Sequence, residues 1–143
     1  MKMIMTLLAA MALSLCSGAT PENPRFKDIP DEDGTAKFTD LDADGFAKFI
    51  ENEKVQVLDA RTAEEYAGGH IKGSVNIDVE SWDFKDKASS TLKKDAPVAV
   101  YCRSGRRSVT ASIFLVEEGF TEVYNLKTGI NGWIQAGLPT ESE

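Results

Sequence analysis

A cysteine with three arginines among the next five residues is the part of this sequence best suited to chemistry. Cys102 ends the apolar run 98–101 and is followed by Arg103, Ser104, Gly105, Arg106 and Arg107. A thiolate is a strong nucleophile, and nearby cations favour it over the thiol. The segment therefore predicts a site where an ionised sulfur attacks an anionic substrate that the five following residues bind.

The residues around this segment predict where it lies in the fold. Apolar side chains at Val109, Ile113 and Val116 are spaced as on one face of a helix. Cys102 then lies between a buried strand and a helix N-terminus, whose unpaired N–H groups and dipole favour an anion. Gly105 permits the tight turn that points several N–H groups inward. The alternative is a buried structural cysteine beside a solvated basic turn, but charge, glycine and helix start together favour function.

Composition limits the function classes that need to be considered. The chain has 143 residues, of which 42% are hydrophobic and 27% charged, as expected of one globular domain. Its net charge of −7 argues against a nucleic-acid partner. With two cysteines and one histidine, a zinc site and thioredoxin-type dithiol chemistry are poorly supported, and we expect no metal.

The first 36 residues predict export and a spacer. Residues 1–19 have an early Lys2, an apolar stretch over 4–15 and small residues at 17–19, as in an export signal peptide. Alternatives are a lipoprotein signal acylated at Cys16, which would tether the protein to a membrane, and a buried N-terminal helix. Residues 20–36 predict a polar linker. We expect an exported, periplasmic protein in which Cys102 is the only free thiol.

Residues 37–140 predict one α/β domain, a short central parallel sheet with helices on both faces. A strand ends at Asp59, and Thr62 with Glu65 forms a capping box that begins a short helix. Thr39 with Asp42 resembles a second capping box. Further strands are predicted over 74–77, from Pro97 and over 122–126, with a polar loop containing one helical turn over 80–95 and a closing helical turn over 130–136. Ligands bind beyond the carboxyl ends of parallel strands, where Asp59 and Cys102 both lie.

Three segments resemble the single-domain rhodanese family of sulfurtransferases. They are residues 58–77, 102–108 and 123–133, and they occur in the family's order and spacing. The resemblance covers about residues 37–137. It departs from the family pattern at Ser74, usually alanine, and at Thr128, often glycine; both are small residues outside the proposed chemistry.

The resemblance implies a two-step sulfur transfer. The Cys102 thiolate would take the outer sulfur of a small anionic donor such as thiosulfate, and the resulting persulfide would pass it to a thiophilic acceptor such as cyanide or a small thiol. No metal or organic cofactor is implied. Arg61 is expected to pair with a nearby carboxylate and fix the loop after its strand, the alternative being that it steers an anion at the mouth of the site. Asp59 is expected to accept hydrogen bonds from backbone or arginine groups. His70 is expected to be structural, and Trp133 to be a core or rim aromatic, the alternative being that it flanks the pocket.

Two other functions remain open from the residues alone. Cysteine-dependent phosphatases place an arginine six positions after the cysteine, but Ser108 stands there and Arg107 comes one residue early. Rhodanese-like folds also serve as non-catalytic binding modules, which usually lack the cysteine that this chain retains.

Overall fold

A computed structural model describes residues 27–30, by their backbone, and 37–143. The predicted export signal over 1–19, including Cys16, lies outside the described residues, as does the predicted linker apart from 27–30. Within the described ranges, no helix is both long and apolar enough to cross a bilayer.

The chain alternates strands and helices around one six-stranded sheet. The strands are β1 (Lys27–Pro30), β2 (Lys37–Leu41), β3 (Gln56–Asp59), β4 (Ser74–Asn76), β5 (Val98–Tyr101) and β6 (Val123–Leu126). The helices are α1 (Ala43–Phe49), α2 (Ala63–Gly68), α3 (Phe84–Thr91), α4 (Arg106–Glu117) and α5 (Gly129–Gln135). The strand order is β1-β2-β6-β5-β3-β4.

Five of the six strands are parallel, as predicted, and β1 is an antiparallel addition at the edge. Four residues of the predicted linker form β1, which pairs with β2 from Lys27 opposite Asp40 to Pro30 opposite Lys37. Proline lacks an N–H to donate, so a strand ending in proline suits an edge position.

Helices cover both faces of the sheet, which confirms the predicted α/β architecture. On one face, α3 and α4 pack on β3 and β5 through a cluster that includes Leu58, Val100 and Leu115. On the other, α1 and α5 enclose Phe46, Tyr101 and Trp133. All four residues of β5 are buried, as expected of a central strand covered on both sides.

Two helix starts show how local sequence sets the element boundaries. Thr62 caps α2 as predicted, because its Oγ1 accepts the Glu65 N–H at 3.2 Å. The capping box predicted at Thr39 is wrong, since Thr39 lies within β2. Asp42 caps α1 instead, and its Oδ1 accepts the Gly45 N–H at 2.6 Å.

Helix α4 confirms the predicted helix but buries a different face from the predicted one. Its buried residues are Ser108, Ala111, Ser112 and Leu115. Val109, Ile113 and Val116 are only partly buried and pack at the edges of the same cluster. Small side chains against the sheet allow the helix axis to approach β5 and β6 closely, which keeps the start of α4 near Cys102.

Candidate active site

Cys102 follows β5 directly, and its side chain lies at the start of α4. The Gly105 N–H donates a hydrogen bond to Sγ at 3.1 Å, and Ser108 Oγ lies 3.3 Å from Sγ. The residue is 1% exposed. The hydroxyl of Ser108 accepts from the thiol, and by rotating it can donate to a thiolate. The sulfur therefore accepts the N–H of Gly105, the N-cap residue of α4, which has no side chain to cap the helix itself.

The cysteine loop contacts the turn before α5 backbone to backbone. Gly105 has φ of +99°, and a Cβ there would overlap the Lys127 carbonyl oxygen. Gly129 has φ of +64°, and its Cβ would overlap the Arg103 carbonyl group. Both positions combine left-handed backbone with no room for a side chain, so each requires glycine.

Two backbone hydrogen bonds stabilise the contact between the cysteine loop and the start of α5. The Ile130 N–H donates to the Cys102 carbonyl at 2.8 Å, and the Asn131 N–H donates to the Arg103 carbonyl at 3.1 Å. These donors belong to the first turn of α5, whose N–H groups have no partner within their own helix. The start of α5 thus sets the path of the chain on leaving Cys102.

The three arginines of the loop have different surroundings. Arg107 makes a bidentate ion pair with Glu65 of α2, with Nη1 to Oε1 at 2.7 Å and Nη2 to Oε2 at 2.9 Å. This hydrogen-bonded pair raises the pKa of Arg107 and lowers that of Glu65 to about 2. Arg103 and Arg106 are exposed, and neither forms an ion pair within the described part of the chain.

Sequence reasoning missed the partner of Arg107. Glu65 was predicted only as part of a helix cap, and it has both roles, since Thr62 Oγ1 lies 3.2 Å from its Oε1. The predicted contact of Arg107 with substrate stays a prediction, now for a guanidinium already bound by a carboxylate. Ser104, exposed beside it in the loop, also stays a predicted substrate contact.

Asp59 and Arg61 form an ion pair, as predicted, in the loop between β3 and α2. Arg61 Nη2 lies 2.7 Å from Asp59 Oδ2, and the Arg61 backbone N–H and Nε donate to Oδ1 at 2.9 and 3.0 Å. Nη2 also donates to the Gly69 carbonyl at 2.7 Å. Both side chains are buried, so the pair fixes the chain between β3 and α2.

The structure also accounts for His70 and Trp133 as structural residues. His70 is 4% exposed, stacks on Tyr66 with ring centroids 3.8 Å apart, and donates through Nδ1 to the Tyr66 carbonyl at 2.8 Å. Trp133 is buried and donates through Nε1 to the Pro139 carbonyl at 2.9 Å. Both expectations from the sequence are confirmed.

A cleft of about 370 Å³ opens beside the cysteine loop. One wall comes from the α2 segment with Glu64, the other from α5 with Ile130 and Ile134, and Arg103 of the loop lies between them. No sequence pattern assigned a role to Glu64, although it lies within the family-like segment 58–77, or to Ile134, which lies outside those segments. Both become neighbours of the loop only in the folded chain.

The sequence profile of the family described as "Rhodanese-like domain" matches residues 42–136. The chain belongs to this family. The predicted family resemblance is therefore confirmed over most of the folded domain, and the matched range includes β3, the cysteine loop and α5.

Rhodanese-like relatives of two kinds are similar in sequence. A protein of Actinobacillus pleuropneumoniae named thiosulfate sulfurtransferase GlpE is 35% identical over 106 residues, which cover 73% of this chain and 94% of that protein. A Pelagibacter ubique protein named tRNA uridine(34) hydroxylase is 39% identical over 95 residues, which cover 66% of this chain. The match spans only 32% of that longer protein.

A solved rhodanese-like structure supports the same fold. The solution structure of a rhodanese-like domain from Anabaena sp. is 32% identical, with a TM-score of 0.67. The match covers 73% of this chain and 79% of that domain. The mixed sheet and its flanking helices are thus those of the rhodanese fold.

Proposed function

We propose that this rhodanese-like protein is a thiosulfate sulfurtransferase that carries sulfur as a persulfide on Cys102. The observation that carries the proposal is the position of Cys102 Sγ, which accepts the Gly105 N–H at the start of α4 in a loop with three arginines. A relative bearing the name thiosulfate sulfurtransferase aligns over nearly its whole length.

The reaction proceeds in two displacement steps. In the first, the Cys102 thiolate attacks the outer sulfur of thiosulfate, the bond between the two thiosulfate sulfurs breaks, and sulfite leaves with its electron pair. The outer sulfur of the Cys102 persulfide then takes a proton from water. In the second step an acceptor nucleophile attacks that sulfur, the Sγ–S bond breaks, and Cys102 leaves as a thiolate. Splitting one transfer into two displacements is the usual benefit of a covalent intermediate.

The N-terminus of α4 stabilises the charges that these steps create. Negative charge lies on Sγ before loading, on the outer persulfide sulfur directly after it and on Sγ again after discharge, and in each case helix N–H groups and the dipole favour an anion there. Ser108 Oγ, 3.3 Å from Sγ, adds a rotatable hydroxyl that serves either protonation state.

Intact mass spectrometry after mixing with thiosulfate tests the proposal. We expect the wild-type chain to gain the mass of one sulfur atom, removable by cyanide, and the Cys102→Ser variant to gain none while keeping the wild-type circular dichroism. Sulfite in place of thiosulfate is the control and should add no sulfur. A wild-type chain that stays unmodified, or a variant that still gains sulfur, would refute the assignment.

Of the other functions considered, the geometry disfavours a phosphatase. A phosphatase arginine binds the phosphoryl oxygens in a bidentate way, and Arg107 already uses Nη1 and Nη2 for a bidentate pair with Glu65. A purely non-catalytic module is disfavoured by a cysteine whose Sγ is held at a helix start rather than packed among apolar groups.

We also propose that the protein is exported to the periplasm, either in soluble form or anchored through a lipid on Cys16. The proposal rests on the sequence of residues 1–19 alone. Cell fractionation followed by N-terminal mass analysis tests it. A mature chain starting at residue 20 supports the soluble form and a diacylated Cys16 the lipoprotein, whereas an intact Met1 in the cytoplasmic fraction contradicts export.

A further inference from the structure

Helix α2 carries Glu65, the partner of Arg107, although none of the described residues of this helix, Ala63–Gly68, is buried. A helix without a buried side chain gains little from packing on the core, so hydrogen bonds at its two ends have to hold it in place. At the N-terminal end, Thr62 caps the helix. The position of Glu65, and with it the bidentate pair, therefore depends on what holds the C-terminal end.

Residues 139–143, which follow α5 and which we call the strap, bind the C-terminal end of α2. The Glu141 N–H donates to the His70 carbonyl at 2.9 Å, and the His70 N–H donates to the Glu141 carbonyl at 2.8 Å. These two bonds form a short antiparallel bridge just beyond the last turn of α2. The Glu143 N–H donates at 3.3 Å to the carbonyl of Ala67, which lies in that turn. The strap thus supplies a donor to a carbonyl that the end of a helix leaves without a partner of its own.

His70 also contacts α2 through its side chain. Its Nδ1 donates to the Tyr66 carbonyl at 2.8 Å, and its ring stacks on the Tyr66 ring with the centroids 3.8 Å apart. Tyr66 is the neighbour of Glu65 in sequence. A shift of the bridge at His70 therefore moves the residue next to the one that binds Arg107.

The strap is itself anchored to α5. The buried Trp133 donates through Nε1 to the Pro139 carbonyl at 2.9 Å, and the Leu138 N–H donates to the Trp133 carbonyl at 3.2 Å. The first turn of α5 binds the backbone of the cysteine loop. One helix therefore contacts that loop directly at its N-terminal end. It also contacts the loop indirectly at its C-terminal end, through the strap, α2 and the ion pair between α2 and α4.

We propose that the strap is a positioning element of the active site, because it sets the orientation of α2 and so holds Arg107 beside Cys102. The kinetic consequence of this inference rests on the proposed sulfurtransferase function. An electrostatic interaction with Cys102 supports the last step, since it contributes to the raised pKa of Arg107 after the larger effect of the Glu65 hydrogen bonds. Without the strap, Arg107 keeps its charge but loses its fixed position beside the sulfur.

The test removes one backbone donor and keeps the chain length. Glu141→Pro removes the N–H that donates to the His70 carbonyl. Ser142→Pro is the matched control, because the residue before a proline favours extended backbone, which Glu141 already has in its bridge. A chain ending at Pro139 is a second variant, which lacks the bridge altogether but keeps the carbonyl that Trp133 binds.

Two measurements report on Arg107 rather than on folding. The first is kcat/KM for thiosulfate, with kcat and KM compared separately. The second is the ratio of the rate constants for alkylation of Cys102 by anionic iodoacetate and by neutral iodoacetamide, followed by intact mass. A cation held near the thiolate favours the anionic reagent, and the ratio cancels changes in thiolate fraction and in access to the sulfur. Circular dichroism and urea denaturation show that each variant is folded.

We expect Glu141→Pro and the shortened chain to lower both kcat/KM and the alkylation ratio about threefold to fivefold, the effect of one weakened charge contact. The loss should appear mainly in KM, because a displaced cation weakens the binding of an anion. Ser142→Pro should match the wild type. In the Arg107→Ala background, Glu141→Pro should cause no further loss, since both changes act on one contact.

Three results would overturn the positioning proposal. They are an alkylation ratio that neither Glu141→Pro nor the shortened chain changes, equal losses in the wild-type and Arg107→Ala backgrounds, and an equal loss in Ser142→Pro. The alkylation ratio requires no sulfur transfer, so it tests the strap even if thiosulfate fails to load Cys102. That failure would refute the proposed donor, and the strap would then be judged on alkylation alone.

Discussion

Two arginine–carboxylate pairs flank the cysteine loop. They share the same kind of ion pair but differ in sequence separation and in burial. Asp59 and Arg61 are two residues apart, and their side chains are 0% and 7% exposed. Glu65 and Arg107 are 42 residues apart, and their side chains are 29% and 25% exposed. The first pair holds a single turn together, whereas the second joins α2 to α4. Burial therefore makes one pair important for folding and leaves the other to position the site.

The largest effect is expected from breaking the buried pair. Asp59→Asn removes the charge that compensates the buried Arg61 guanidinium, and leaving one partner of a buried pair alone costs about 3–5 kcal/mol. Urea denaturation should show this loss of unfolding free energy. The exposed pair of Lys85 with Glu117 is the control, because Lys85→Ala should change stability by no more than about 1 kcal/mol. A similarly small change for Asp59→Asn would show that the buried pair is no more important for stability than an exposed one.

A smaller effect, on activity rather than stability, is expected at the partly exposed pair of Glu65 and Arg107. Arg107→Ala removes a cation beside Cys102 and the link between α2 and α4, and kcat/KM for thiosulfate should fall by about tenfold or more, as for one lost charge-assisted hydrogen bond. Steady-state kinetics with thiosulfate and cyanide measure it, alongside urea denaturation to show that the variant is folded. Kinetics that barely change would mean that Arg107 serves neither the donor nor the loop.

The smallest effect concerns the pH dependence of the same pair. Arg107 lowers the pKa of Glu65 from 4.5 to about 2, so its contribution to stability is fully present above pH 4.5 and disappears as pH falls towards 2. Because both side chains are partly exposed, we expect the pair to contribute about 1 kcal/mol or less to the free energy of unfolding. Comparing wild type with Glu65→Gln by denaturation from pH 7 to 2 should show the two curves converging in acid. A constant gap across this range would contradict the assignment.

The elements of the fold were predictable because they depend on residues close in sequence. The capping box at Thr62, the strand ending at Asp59 and the glycine needed after Cys102 all follow from patterns a few residues long. The pairing of Asp59 with Arg61 belongs to the same class, since two residues separate them. Local stereochemistry and the alternation of strands and helices were enough to place Cys102 at a helix start.

The features that escaped prediction depend on distant residues. The partner of Arg107 is 42 residues away in sequence, and the capping box that singles out Glu65 gives no sign that its carboxylate also binds an arginine. Helix α4 buries Ser108, Ala111 and Ser112 beside Leu115 because these small residues fit closely against the sheet, although Ile113 and Val116 are also hydrophobic. Likewise, α3 is an eight-residue helix where the polar sequence predicted a loop with one helical turn, because Phe84 and Ala88 anchor it in the core.

The contact between Gly105 and the turn before α5 has a consequence for the energy of the proposed sulfur transfer. Backbone meets backbone there with no side chain to adjust, and hydrogen bonds from Ile130 and Asn131 hold the adjoining carbonyls. The backbone of the loop therefore has little freedom to move during the proposed loading and discharge of sulfur. We therefore expect a small reorganisation energy, with each displacement limited by bond making and breaking at sulfur rather than by loop motion.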